Sequence, residues 1–546
     1  MDNSNINPSK GGWKSAIFII FVEMAERFAY YGIAGNLIMY LTTMMDIPLA
    51  TAAKNVNSWN GVSSLALFIG AFFADSYLGR FKTTLLSSSV FLMGLILLTI
   101  STTTKIPLNI RTPLFFSALY ITALGEGGHK PCVQTFAADQ FDENTPEQRK
   151  AKSSFFNWWY LGIVVGATIA VVVIVYVEDN VSWTVGFSIP TIAVGLALAV
   201  FIFGCSTYRM ERPVGSPFTR VAQVVVAATR KRHVVETSNG RGLCYDDDVG
   251  RGLDARKLAR TNQFRCLDKA MTIDERDSLI KSRNPWRLCS VNQVEEVKLI
   301  VRLIPIWVCT FAYAIIVAQV HTFFIKQAST MQRSLGPKVS IPPASLQVIP
   351  GITILISVPI YDKLFVPSMR NITKIPSGIS SLHRIGIGLG LSILTIAIAA
   401  LVENMRVGVA SKHGLINDPK AIVPMSVGWL VPQFVVMGLS DMFAYVGMQE
   451  LFYDQMPEDM RSMGSALTNG AIGVGAFMSS AIIAAVQQMS KKWGEEWLVN
   501  NLNRAHLDEF YWVLAGFCAL DLVIYVLAAK WFVWKNTAEV DQIVIC

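Results

Sequence analysis

Charge is what this sequence has least of. Asp, Glu, Lys and Arg make up 16% of its 546 residues, against about 25% in a typical soluble chain, and 52% of the residues are hydrophobic. That balance excludes an ordinary soluble domain and points to a multi-pass membrane protein. The eight cysteines (132, 205, 244, 266, 289, 309, 518, 546) have neither zinc-site spacing nor the pattern of a disulfide framework. A nucleophile–base set, a metal cluster and a phosphate loop are all lacking, so neither an enzyme nor a cofactor is expected. The polar first residues lack the short apolar core of a cleavable signal peptide.

Long apolar runs are what is present. Candidate spans centre near residues 29, 66, 92, 125, 165 and 195, then near 312, 354, 391, 436, 475 and 523. Between the two sets, Thr207 to Glu296 carries 17 Lys or Arg against 12 Asp or Glu and has no run long enough to span. The chain therefore divides into a tail (1–12), a first bundle (13–206), a basic linker (207–296), a second bundle (297–535) and a tail (536–546). The expected fold is an all-α membrane protein of twelve transmembrane helices in two six-helix bundles. Such halves rock about a site at the membrane midplane.

The net charge of +8 resides largely in the linker and reads as membrane topology rather than nucleic-acid binding. Arg80 and Lys82, then Arg149, Lys150 and Lys152, then Arg370 and Lys374 follow even-numbered spans, whereas Glu178 and Asp179 follow span 5. Those even-numbered exits and both termini are expected to face the cytoplasm, although Lys491 and Lys492 fall on the opposite side. The linker reads as a solvated tether with a basic face near anionic lipid, with weak helical periodicity over Asp274 to Lys281.

The charges inside the spans are few and grouped. Glu23, Glu26 and Arg27 stand mid-way along the first apolar run, at spacings that place them on one helix face. A charge at bilayer mid-depth costs about 2.5–3.5 kcal/mol even on insertion scales. The three must therefore face protein or a watery cavity, which reads as a titratable cluster along a transport path. The bland alternative places them at a helix end in the headgroup layer. Lys130, within Gly125-Glu-Gly-Gly-His-Lys-Pro-Cys132, and Asp441, within Gly438-Leu-Ser-Asp441, add a base in the first half and an acid in the second. They are expected either to pair across the cavity, a link that protonation would break, or to form two separate structural ion pairs. Glu126 and His129 read as local partners.

With these residues in view, the chain resembles a known family. Glu23-x-x-Glu26-Arg27-Phe-x-Tyr-Tyr31-Gly resembles the ExxER signature of proton-coupled oligopeptide transporters. Asp75-Ser-Tyr-Leu-Gly-Arg80, Ala-Asp-Gln-Phe-Asp142, Phe156-Asn-Trp-Trp-Tyr-Leu-Gly162, Ile341-Pro-Pro-Ala-Ser345 and Leu382-His-Arg-Ile-Gly386 continue the likeness in order. Together they resemble the plant nitrate/peptide transporter family within the major facilitator superfamily.

The resemblance implies a proton-coupled symporter driven by the proton gradient. Glu23, Glu26, Arg27, Lys130 and Asp441 would carry proton coupling, and Tyr31, Arg27, Lys130, Val317 and Gln319 would line the substrate path. Three positions depart from relatives: Ala34 replaces a cavity arginine, Ala318 a titrating glutamate, and Val317 a histidine that contacts nitrate. Arg80-Phe-Lys-Thr83 resembles a family phosphorylation site, making a kinase a candidate partner; an ordinary helix-start threonine is the alternative. The other implied partners are a small-molecule substrate, protons and the bilayer, with no nucleic acid. Nitrate is the first expectation for cargo. Di- or tripeptides, then hormones or specialised metabolites, are the alternatives within the class, and a passive channel or a nutrient receptor is the alternative outside it. Plasma and vacuolar membranes are both compatible.

Overall fold

Prolines and one capping box set where several of the long helices begin. Pro48 and Pro107 directly precede the second and fourth helices, at positions where a missing N–H removes no helical hydrogen bond. The seventh opens on Ser290, whose Oγ accepts from Gln293 N at 3.3 Å while Gln293 Oε1 accepts from Ser290 N at 3.1 Å. The computed structural model describes residues 11–103, 106–141, 146–210, 217–233, 244, 260–274, 277, 284–335, 339–374, 378–456, 461–492, 494 and 496–533. Residues 1–10 and 536–546 of the expected tails, Asp142 and most of 274–281 lie outside the described residues.

The first half holds α1 (Trp13–Thr43), α2 (Leu49–Phe73), α3 (Arg80–Ser101), α4 (Leu108–Ala138), α5 (Pro146–Ile169) and α6 (Trp183–Phe203). The second holds α7 (Val291–Val320), α8 (Val348–Ile360), α9 (Ser381–Lys412), α10 (Val431–Gln455), α11 (Arg461–Lys492) and α12 (Leu507–Trp531). A π-helical turn extends α5 at Ala170–Ile174, and another extends α8 at Tyr361–Phe365. Helix α7 starts ahead of the expected bundle boundary at 297.

Ten helices among the described residues are long and apolar enough to cross a membrane. The other two long ones, α1 and α4, have 31 residues each, or about 46 Å. Length does not set them apart; they carry Glu23, Glu26 and Arg27, and Glu126, His129 and Lys130. Large apolar side chains such as Ile69, Leu86, Leu196, Leu355 and Leu520 are exposed on the outer faces, as expected of surfaces that meet acyl chains rather than water.

The two halves meet along α2 and α11, which run in opposite directions. Lys54 Nζ donates to Gln487 Oε1 (3.2 Å), and Asn57 Nδ2 to Ser479 Oγ (3.1 Å). Further along, Gly473 faces Ser64 and Gly470 faces Phe68. A Cβ on Gly473 would lie 2.6 Å from Ser64 Cβ and 3.1 Å from the Gly61 carbonyl oxygen, so only glycine permits this approach.

Other hydrogen bonds between the halves gather toward the end away from the linker. Lys326 Nζ donates to Thr42 Oγ1 (3.1 Å), Gln347 Nε2 to Gly35 O (2.7 Å), Ser345 Oγ to Val171 O (3.2 Å), and Leu49 N to Asn500 Oδ1 (3.0 Å). Among the described residues, none joins the halves at the linker end. The structure is closed at the far end.

The linker differs from a solvated tether. A helix at Pro217–Arg230 buries Val224, Ala227 and Ala228 against Ala270, Met271, Cys289 and the first turns of α7. Lys298 of α7 pairs with Asp268 and with Glu295 (2.7 Å to the latter), and Thr261 Oγ1 donates to Glu295 Oε2 at 2.7 Å. Asp277 pairs with Lys231 and with Arg287 (Nε–Oδ1 2.8 Å). Phe218 touches Phe68 of α2 edge-on, with ring centroids 6.1 Å apart.

Two measurements test these contacts. Gly473→Val should destabilise the protein by about 1–3 kcal/mol through overpacking, read as a lower Tm, and should slow uptake. Burial pushes the Asp277 carboxyl up, but hydrogen bonds from Lys231 and Arg287 outweigh it and hold it below its usual value of 3.8. Its stabilising charge is therefore complete above that value and is lost only as pH falls through the lower folded value. Protease sensitivity of the linker should not change between about pH 5 and pH 7.5, and should rise at both values in Asp277→Asn.

Candidate functional site

The charged residues converge because α4 can press against its neighbours. At Gly127 a Cβ would overlap Ala66 of α2, and Pro131 within the same helix cannot donate to the carbonyl one turn back. This packing brings Glu126, His129 and Lys130 to the charged face of α1.

Arg27 Nε lies 2.7 Å from Glu23 Oε1 and 3.1 Å from Glu26 Oε2, so one guanidinium faces both carboxylates. The two glutamates are buried, while the Arg27 side chain keeps 12% exposure. It is the member of the trio that a cavity ligand would meet first. His129 Nε2 stands 3.6 Å from Glu23 Oε2, and its Nδ1 is 2.8 Å from Ser88 Oγ on α3. Lys130 pairs with Glu126 one turn back, and its Nζ sits 4.3 Å from the centre of the Tyr30 ring. Tyr30 stacks on Trp59 of α2 and donates its hydroxyl to Asn60 Oδ1 at 3.1 Å. In the second half, Asp441 of α10 accepts a 2.5 Å hydrogen bond from Tyr313 of α7. Half-buried Tyr31 is within electrostatic range of both Arg27 and Asp441.

The structure joins Glu23, Glu26, Arg27 and His129 into one cluster and sets Lys130 beside it. It does not join Lys130 to Asp441, because each has a nearer partner: Glu126 on the same helix face and the Tyr313 hydroxyl. Of the two separate ion pairs that were the alternative, only Lys130–Glu126 is present; Asp441 has a hydrogen bond from a neutral tyrosine instead. Gln319 lies in the seam between the halves rather than on a cavity wall. It is fully buried and donates to Ile315 O (2.9 Å) and to Ser479 Oγ (3.0 Å). Val317 is half-buried and offers only an apolar surface. Thr83 is buried, its hydroxyl donating to Gly79 O at 3.0 Å, so a kinase could reach it only after the start of α3 opened. Beside it, Arg80 pairs with Asp139 at the end of α4.

Glu23, Glu26 and His129 also offer ligand atoms within 4.8 Å of one another. Arg27 already supplies the positive charge that a divalent cation would bring to those carboxylates, so the donor set is balanced without an ion.

Several polar groups escaped the sequence reading. Tyr313 and Ser88 carry no periodic signal. Asn36 was visible as a polar residue in the apolar second half of α1, where its Nδ2 donates to Glu178 Oε2 (3.1 Å) and Asp179 Oδ1 (3.0 Å). Glu403 and Arg406, three residues apart on α9, form a fully buried bidentate pair (2.8 and 2.6 Å). Arg406 also donates to Asn503 Oδ1 at 2.6 Å.

Two helical halves, a seam of small residues and buried charge on α1 and α4 define a multi-pass membrane transporter of the two-bundle type. The sequence profile of the POT family (PTR2) matches residues 81–501. The Arabidopsis thaliana protein NRT1/PTR FAMILY 5.4 is 53% identical over 540 residues, covering 98% of this chain and 97% of that one. NRT1/PTR FAMILY 5.10 from the same plant is 45% identical over 548 residues, covering 97% and 95%. Among solved structures, the POT family transporter PepTSo superposes with a TM-score of 0.71 at 18% identity, covering 95% of this chain and 98% of that one. A crystal structure of an auto-inhibited POT family peptide transporter gives 0.70 at 18% identity, covering 96% and 98%. The chain belongs to the POT family, and it is a transporter rather than an enzyme.

Removing the shared cation is the direct test of the cluster. Arg27→Gln would leave two buried carboxylates without it, and breaking such a buried pair costs about 3–5 kcal/mol. The expected outcome is a clear fall in Tm of the purified protein together with loss of uptake. Arg27→Lys should restore stability in part, since one ammonium keeps the charge without the planar fork.

Proposed function

We propose that this protein is a proton-coupled symporter with twelve spans that carries a small anion, nitrate foremost, by alternating access. The observation that carries this reading is the charge balance around the cavity. Glu23, Glu26, Glu126 and Asp441 stand against Arg27 and Lys130, four potential negative charges against two positive. A monovalent anion meets net repulsion until protons neutralise carboxylates, after which Arg27 and Lys130 become available to it. Proton binding then precedes anion binding, and that order is what couples the two.

The closed far end suits a form open toward the linker, which we take to be the cytoplasmic side. Release of cargo and protons would occur there. Plasma and vacuolar membranes both supply an acidic opposite face.

A second reading rests on the placement of Lys130 in one half and Asp441 in the other. A base and an acid on opposite walls are complementary to the two ends of a zwitterion, which is the pattern a di- or tripeptide requires.

Uptake of labelled nitrate and of labelled dialanine in oocytes, at about pH 5.5 and about pH 7.5, separates these readings. Surface expression is checked in each case. Acid-stimulated nitrate uptake that is lost in Glu26→Gln is the expected result. Dialanine uptake with the same acid dependence would replace the cargo and keep the mechanism. Nitrate flux indifferent to the proton gradient would indicate a channel and overturn the symport reading.

A further inference from the structure

Arg27 poses a problem for the carboxylates it joins. A guanidinium does not give up its proton in proteins, and both carboxylates converge on its Nε. Arg27 therefore cannot itself carry a proton from one glutamate to the other.

The structure provides a place for another route. A small cavity of about 10 Å³ is lined by Val22 and Glu26 of α1, Ser88 and Phe91 of α3, His129 of α4, and Val194, Ala197 and Leu198 of α6. That volume is at the lower bound for one water molecule, which also needs two to four polar partners. Three are on the wall: the Glu26 carboxylate, Ser88 Oγ and the His129 ring. The Glu26 oxygens and His129 Nε2 are buried and make no well-aligned hydrogen bond: Glu26 Oε2 has its 3.1 Å ion pair with Arg27 Nε, and Glu23 Oε2 stands 3.6 Å from Nε2.

We propose that one water binds in this cavity and that His129 relays protons between Glu26 and Glu23. The relay rests on the proton-coupled reading above. In the ring tautomer with Nδ1–H, Ser88 Oγ is the acceptor of the 2.8 Å contact, and the relay uses the lone pair that this tautomer leaves on Nε2. Protonated Glu26 gives its proton to the water, and the water passes one of its own to Nε2. The products are a Glu26 carboxylate and an imidazolium, with the water regenerated. The imidazolium Nε2–H then faces Glu23 Oε2, the next acceptor. The other charged groups around the ring are Arg27 on α1 and Glu126 and Lys130 on α4. Helix α3 contributes the uncharged Ser88, and α6 contributes apolar residues only. Ser88 is a positioning residue, acting through the ring.

The test is the pH profile of uptake into proteoliposomes holding the full-length protein, with labelled nitrate and labelled dialanine as probes. His129→Gln should reduce acid stimulation about a hundredfold, the lower end of what a positioned proton carrier contributes. In Ser88→Ala the imidazolium loses a stronger hydrogen bond than the neutral ring does, so the midpoint should move about one pH unit toward acid. Ser88→Thr keeps the hydroxyl and should restore the midpoint. A His129→Gln profile that superimposes on wild type overturns the relay, as does a Ser88→Ala profile without a shift. The serine variant keeps the question open to test if His129→Gln fails to fold. Wild-type uptake insensitive to pH would instead remove the proton-coupled reading on which the relay depends.

Discussion

A single guanidinium holds the centre of this molecule together. Two buried glutamates on α1 are tolerable only because Arg27 lies within 3.1 Å of both. The alternative is an uncompensated buried charge, costing several kcal/mol. The surrounding architecture serves that arrangement. Glycine at 127 lets α4 approach, Tyr30 covers the Lys130 ammonium, and apolar residues of α6 keep bulk water away. In this low-dielectric setting, adding one proton to one carboxylate alters every neighbouring interaction, which gives a proton enough leverage to bias a conformational equilibrium.

That equilibrium has visible parts. The two halves touch along α2 and α11, where Gly61 receives the Phe477 ring and Gly470 the Phe68 ring. They are tied by hydrogen bonds through Thr42, Gly35, Val171 and Leu49 at one end. The ties are single, and several run to backbone carbonyls, so each is individually weak against a rigid-body motion. Among the described residues, four such bonds close this end. The fully buried Glu403–Arg406 pair, by contrast, lies within one helix of one half.

Much of this was legible in the residues. The spacing of Glu23, Glu26 and Arg27 placed them on one face, and the polar interval between apolar sets marked the two halves. Partner choice was less legible. Lys130 has Glu126 four positions back, and a neighbour on the same helix face competes with any more distant acid. Gln319 illustrates a second limit: helical period says that a residue faces inward but not whether it meets a cavity or another helix. The linker shows a third. Val221, Val224, Ala227 and Ala228 follow helical spacing, but their pattern is short and set among charges, so composition concealed an amphipathic helix that tertiary contact with α7 stabilises.

The docked linker has a mechanical consequence. Because Pro217–Arg230 is packed against the second half and Arg209 is hydrogen-bonded to Gln140 of the first, the bridge in sequence runs only from Arg209 to Pro217. About eight peptide steps reach about 28 Å at full extension. A connection of some ninety residues in sequence thus behaves as a short leash, and its length sets an outer stop on how far the mouths of the two halves can part.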